Sequence, residues 1–226
     1  MINSILGILN DKNITPTLLQ GLQRLESEYG EYDWVGIATL GDGRIQHRQI
    51  QGNMQNLQRH LQQQPMAGNF GIAYLYNTAS DEPDIPPARL YATEDVAVVY
   101  SGIVKNAEEM RDGLLDLGYE FHGKTNGEVI WRSINRYLDI GLSPEEATLV
   151  TTARLKGECS TIVLFAQPEN KLIAAHRGSP LAIGVSENIF YVSSELKTLS
   201  VLSHQAMQLG EGYPVVLRSV NMVLEQ

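Results

Sequence analysis

The chain has one cysteine, Cys159, among 226 residues. A lone cysteine cannot close an internal disulfide, and it cannot supply the CxxC spacing of a zinc or redox site. A reducing compartment is therefore expected, and the chain is expected to be cytoplasmic. Long apolar runs are missing: nothing approaches the ~20 residues that cross a bilayer. The start carries neither the basic segment nor the apolar core of a secretion signal. Positive charge is scarce, with 17 Lys and Arg against 26 Asp and Glu and a net charge of −9. An acidic surface repels phosphate backbones and anionic lipid, so neither a nucleic-acid nor a membrane partner is expected. His47, His60, His122, His176 and His204 are scattered, with no i,i+4 pair and no carboxylate cluster. No metal is expected from that spacing, and no motif requires a cofactor. "RGSPLAIG" (177–184) lacks the spacing of a phosphate loop and reads as a turn between two strands.

What is present is ordinary for a globular protein, with 43% hydrophobic and 19% charged residues. "NSILG" at the start is a buried-strand pattern. "TPTLLQGLQRLE" (15–26) predicts a helix, with Thr15 as cap, Pro16 in the first turn, and Leu18, Leu22 and Leu25 on one face. "WVGIATL" (34–40), "NFGIAYLYN" (69–77) and "DVAVVYSGIV" (95–104) predict strands. The glutamine-rich segment 49–64 reads as an exposed helix, and "SDEPDIPPAR" (80–89) as a loop. Helices are predicted over 106–118, 126–141 and 143–157, with capping boxes at Asn106/Glu109 and Ser143/Glu146. The final third is nearly all strand, with a short helix near 194–202. Clustered helices between strand groups predict an α+β fold with mostly antiparallel sheets. No linker or repeat appears, so one domain over 1–226 is expected.

Several phrases, in order and with regular spacing, carry a resemblance. They are "LLQGLQRLE", "YDWVGIA", "FGIAY", "VVYSGIVKNAEEMRDGLLDLGYEFHGKTNGEVI", "AAHRGSPLAIG" and "YVSSELKTL". The chain resembles the glutaminase domain of glucosamine-6-phosphate synthase, a class II glutamine amidotransferase with an N-terminal nucleophile. The resemblance implies a four-layer αββα sandwich with two antiparallel sheets packed face to face. It also implies that the sugar-phosphate isomerase half found in that family is absent from these residues, since the chain ends about where that half would begin.

The resemblance further implies where the chemistry should lie. The family nucleophile is a Cys at the head of the first strand, followed by Gly. Those positions hold Asn3 and Ser4. A carboxamide is no nucleophile at neutral pH, and an adjacent amine cannot activate it as it does a thiol or hydroxyl. The family oxyanion donors, in His-Asn-Gly, correspond to Tyr100-Ser101-Gly102. Gly102 could still offer its N–H, but a Ser hydroxyl is shorter than an Asn amide. Losing one such donor typically costs ~10²–10³ in rate. The arginine that grips the substrate carboxylate falls within Leu75-Tyr76-Asn77, and the aspartate that grips its ammonium falls at Asn126, before Gly127 and Glu128. A further arginine is replaced by Gly30, while Tyr32 and Asp33 match.

Three functional readings follow. The first is a degenerate, non-catalytic glutaminase-like module that binds or regulates, with a protein partner or self-association. The second is an amidotransferase or amidohydrolase with an unusual nucleophile, Ser4 after processing. The third is a sensor for a small polar ligand, built from Tyr74, Tyr76, Asn77, Tyr100, Ser101, Asn126 and Gly127. The competing reading of that polar set is that it fills the vacated pocket. Cys159 reads as a small buried hydrophobe rather than a relocated nucleophile.

Overall fold

The computed structural model describes residues 3–30, 32–77, 90–167, 169–212 and 214–218. The predicted loop 80–89 lies outside them. The chain begins with β1 (Asn3–Leu9), α1 (Thr15–Tyr29), β2 (Trp34–Gly41), β3 (Arg44–Gln51), α2 (Met54–Gln63) and β4 (Phe70–Tyr76). It continues with β5 (Leu90–Ala92), β6 (Val96–Gly102), α3 (Ala107–Asp116), α4 (Asn126–Asp139) and α5 (Pro144–Arg154). The last elements are β7 (Cys159–Phe165), β8 (Lys171–Arg177), β9 (Ala182–Ser186), β10 (Ile189–Ser193), α6 (Leu196–Leu202), β11 (Gln205–Gln208) and β12 (Val215–Arg218).

The strands form two sheets. One has seven strands in the order β11-β9-β10-β1-β4-β2-β3, the other five in the order β12-β8-β7-β6-β5. Every ladder between named strands is antiparallel. The sequence explains the layering. In β1, Ile5 and Leu9 turn toward the second sheet, while Leu6 and Ile8 turn toward α1, so both faces of this central strand are apolar. In β6, Ala97 and Val99 meet the first sheet, and Val98 and Tyr100 meet α4. The result is helix, sheet, sheet, helix: the αββα sandwich that the phrases implied.

Local signals set most boundaries. Leu18, Leu22 and Leu25 of α1 are fully buried. The box at α5 forms, with Ser143 Oγ accepting from the Glu146 N–H and Glu146 Oε2 accepting from the Ser143 N–H at 2.9 Å. Other expectations are corrected. Thr15 is not the cap of α1; Ile14 holds that position, and the Thr15 hydroxyl donates to the Met66 carbonyl at 2.8 Å. The Asn106/Glu109 box does not form. Asn106 is occupied elsewhere, donating to the Arg154 carbonyl and accepting from the Lys156 N–H, while Glu109 pairs with Lys156. The glutamine-rich segment is split: residues 49–51 end strand β3, and α2 buries Met54, Leu57 and Leu61. The turn within 177–184 does join two strands, but β8 and β9 lie in different sheets, so it is a crossing between layers.

One ionic cluster ties the helix α5 to the second sheet. Lys171, nearly buried, places Nζ 3.0 Å from Glu145 Oε1, and Arg218 reaches the same oxygen at 2.8 Å. Burial alone would raise the Glu145 carboxyl. The hydrogen bonds from Lys171 and Arg218 outweigh it and hold the group below its ordinary value. A carboxylate depressed in the folded state contributes stability above its unfolded pKa and loses it as pH falls through the folded value. Replacing Glu145→Leu should therefore cost about 2 kcal/mol at pH 7, less than a fully buried pair because the site is partly open. The cost should shrink below the ordinary carboxylate range. Chemical denaturation at pH 7 and pH 3 checks both.

Candidate functional site

The residues that the resemblance singles out lie at the ends of their elements. Asn3, the first described residue of β1, pairs in register with Tyr76, the last residue of β4. Tyr76 is also opposite Trp34 at the start of β2. Ser101 and Gly102 end β6, opposite Ser160 and Cys159 of β7. Gly102 has φ +97°, and a side chain there would collide with the Glu158 carbonyl. The turn after β6 thus requires glycine and is fixed by the Ile103 N–H donating to that same carbonyl at 2.8 Å. Asn126 and Gly127 open α4, capped by Thr125, whose hydroxyl accepts from the Glu128 N–H.

The approach to α4 is heavily braced. Glu128, buried, accepts from the N–H groups of His122 at 2.7 Å and Gly123 at 2.8 Å. Arg111 donates to the Gly123 and Thr125 carbonyls and lies over the Phe121 ring, 4.4 Å from its centroid. A carboxylate with two backbone donors and a guanidinium with two backbone acceptors fix the loop without a ligand.

Strand alternation separates the candidate pocket residues. Tyr74 and Tyr76 belong to the core between the sheets. Tyr100 belongs to the other core, under α4, and lies on the outer face of its sheet. Tyr74 is nearly fully buried, its ring covers the bare Gly36 of β2, and its hydroxyl donates to Gln49 Oε1 of β3 at 2.9 Å. A side chain at position 36 would collide with that ring. Asn77 and Asn126 are half-buried, and Gly127 is buried. Tyr74 and Tyr76 thus pack on the inner face of their sheet and Tyr100 on the outer face of the other.

Ser4 lies on a different face from the inter-sheet tyrosines. It is fully buried and its hydroxyl donates toward Glu195 Oε1 at 3.5 Å. Around it the fold assembles a polar cluster that the sequence did not announce: Tyr29 at the end of α1, Tyr32 after it, and Glu195 before α6. Burial lifts the Tyr29 hydroxyl well above its ordinary value, reinforced by its hydrogen bond to Glu195. Burial likewise pushes Tyr32 up to about 12, opposed in part by Ser4 and reinforced by the carboxylates of Glu195, Glu26 and Glu28. Burial also raises the Glu195 carboxyl, although bonds from Tyr29 and Ser4 partly restore it. No local spacing could reveal this cluster, because Ser4 and Glu195 are 191 positions apart. Cys159 is fully buried, and burial pushes its thiol up to about 11.

A carboxyl raised in the folded state contributes most below its unfolded pKa and loses that contribution as pH rises through the folded value. Glu195→Gln should therefore raise the melting temperature near pH 7, and the advantage should vanish near pH 4. Thermal unfolding across that range measures it. An advantage that is constant with pH would contradict the burial account.

A sequence model of the glutamine amidotransferase domain matches residues 77–201, more than half of the chain. Curated relatives include the isomerizing glutamine–fructose-6-phosphate aminotransferases of Zymomonas mobilis and Bartonella henselae. These are 34% and 36% identical over 213 residues, covering 94% of this chain and 35% of each relative. The chain therefore spans about a third of the length of these relatives. Among solved structures, glutamine phosphoribosylpyrophosphate amidotransferase from B. subtilis superposes with a TM-score of 0.74 at 18% identity, over 97% of this chain and 50% of that one. A class-II glutamine aminotransferase domain protein from Silicibacter pomeroyi gives 0.64 at 14% identity, over 96% and 95%. These two likenesses speak for the fold. The chain belongs to the glutamine amidotransferase domain family and is a glutaminase-like domain related to glutamine–fructose-6-phosphate aminotransferase.

Proposed function

We propose that this domain does not hydrolyse glutamine and instead acts as a binding or regulatory module on the glutaminase scaffold. The observation that carries this is the joint substitution at the reacting positions: Asn3 at the head of β1, Ser101 before Gly102, and no ionic anchor at Tyr76 or Asn126. Each loss bears on a different step. Asn3 removes the attacking atom. Ser101 shortens one oxyanion donor. Without an arginine and an aspartate, a zwitterion entering the site would leave water with no opposite charges to meet, at several kcal/mol per ion by order of magnitude.

Substitute nucleophiles are poorly placed for the task. The Ser4 hydroxyl is buried beneath the helices and directed at Glu195. Cys159 is sealed, with its thiol held protonated at neutral pH. What the chain retains is scaffolding: the glycine turn at 102, the Thr125 cap and the Glu128 brace. Those features shape a surface without performing a reaction.

The test is ammonia release from glutamine by the purified chain, compared with Asn3→Ala. The reading expects the two to be indistinguishable and at background. Turnover in the parent at least tenfold above the variant would overturn it.

A further inference from the structure

Residues of α3 and α4, with Asn106 before α3, Arg154 at the end of α5 and Lys156 after it, line a cleft. Its volume is about 550 Å³, within the range of sites that take small molecules. The floor is apolar, formed by Met110, Leu114 and Tyr137. Leu117 lines it too and is 55% exposed, so the apolar surface continues to the mouth.

The charge around this cleft runs against the charge of the chain. The net charge is −9, yet Arg136, Arg154 and Lys156 all line it, against Glu109 and Asp116. Lys156 and Glu109 neutralise each other at 2.8 Å. Arg136 lies over the Tyr137 ring, 5.5 Å from its centroid, a stacking that presents a planar guanidinium beside the apolar floor. Neither Arg136 nor Arg154 forms an ion pair among the described residues. A guanidinium fork beside an apolar surface matches a carboxylate or phosphate head carried on an apolar body.

Gly113 supplies an independent pointer. It sits inside α3 and lines the cleft, and a Cβ built on it meets nothing within 4 Å. Neither packing nor positive φ requires glycine there, and glycine in a helix interior costs roughly 0.5–1 kcal/mol relative to alanine. Its consequence is a wider cleft.

We propose that the cleft between α3 and α4 binds a small amphipathic anion, with the apolar body over Met110, Leu114 and Tyr137 and the head group between Arg136 and Arg154. This site is separate from the one at the head of β1 and does not depend on whether that site is catalytic.

Isothermal titration of the full chain with octanoate, octyl phosphate and neutral octanamide tests it. Saturable one-to-one binding is expected for at least one of the two anions, and the tighter anion identifies the head group. Octanamide should bind about tenfold more weakly or worse, since one charge-assisted bond is of that order. Arg136→Gln and Arg154→Gln should each weaken the anion about tenfold. Gly113→Leu, whose side chain would enter open space, should abolish binding while keeping the melting transition. Three results would each overturn the proposal: no binding of either anion at millimolar concentration, equal binding of octanamide, or full binding to folded Gly113→Leu.

Discussion

The close packing of two sheets on each other is the constraint from which the rest follows. It is tightest to read at Gly7, in the middle of β1. A Cβ there would lie 2.9 Å from a Leu172 methyl and 3.1 Å from an Ile162 methyl, so the second sheet packs onto bare backbone. Because β1 is an interior strand, between β10 and β4, holding it there also holds its head against the end of β4. The head of β1 therefore meets the end of β4 whatever residues they carry. Side-chain alternation then decides which of those residues share a layer. It sends Tyr74 and Tyr76 between the sheets, and Tyr100 and Ser4 to opposite outer faces.

This separates scaffold from chemistry. Gly102, Thr125, Glu128 and the Ser143/Glu146 box are matched to the backbone they must hold, and the fold uses each of them. A sandwich of this kind can keep its shape after its reacting groups have changed, because its stability comes from buried apolar area and bracing hydrogen bonds. The Glu195 cluster is likewise a product of the fold: Tyr32, buried, and Tyr29 and Glu195, partly buried, come together beside Ser4.

Much of this was legible in the sequence. Strong periodicity carries α1, α4 and the buried strands, and the ordered phrases imply the layer order. Strand β3 was hidden because its side chains are mostly polar and several are exposed, so alternation carried no signal. Strands β5 and β11, three and four residues long, are too short for any period to show. The Asn106 capping box failed for a tertiary reason: the side chain bonds the 154–156 segment, some fifty residues away. At the site, the resemblance named candidate positions but not which face of its sheet each residue takes. Ser4 and Tyr100 could be separated from Tyr74 and Tyr76 only once the register was known. The α3–α4 cleft was invisible because its guanidinium groups, Arg136 of α4 and Arg154 of α5, come from different helices.

The central claim is that neither Asn3 nor Ser4, at the head of β1, attacks an acyl carbon. Exposure of the purified chain to a glutamine-mimicking electrophile, followed by intact-mass spectrometry and peptide mapping, addresses it most directly. The account predicts an unmodified mass after prolonged incubation. A stoichiometric adduct on Asn3 or Ser4 would contradict it.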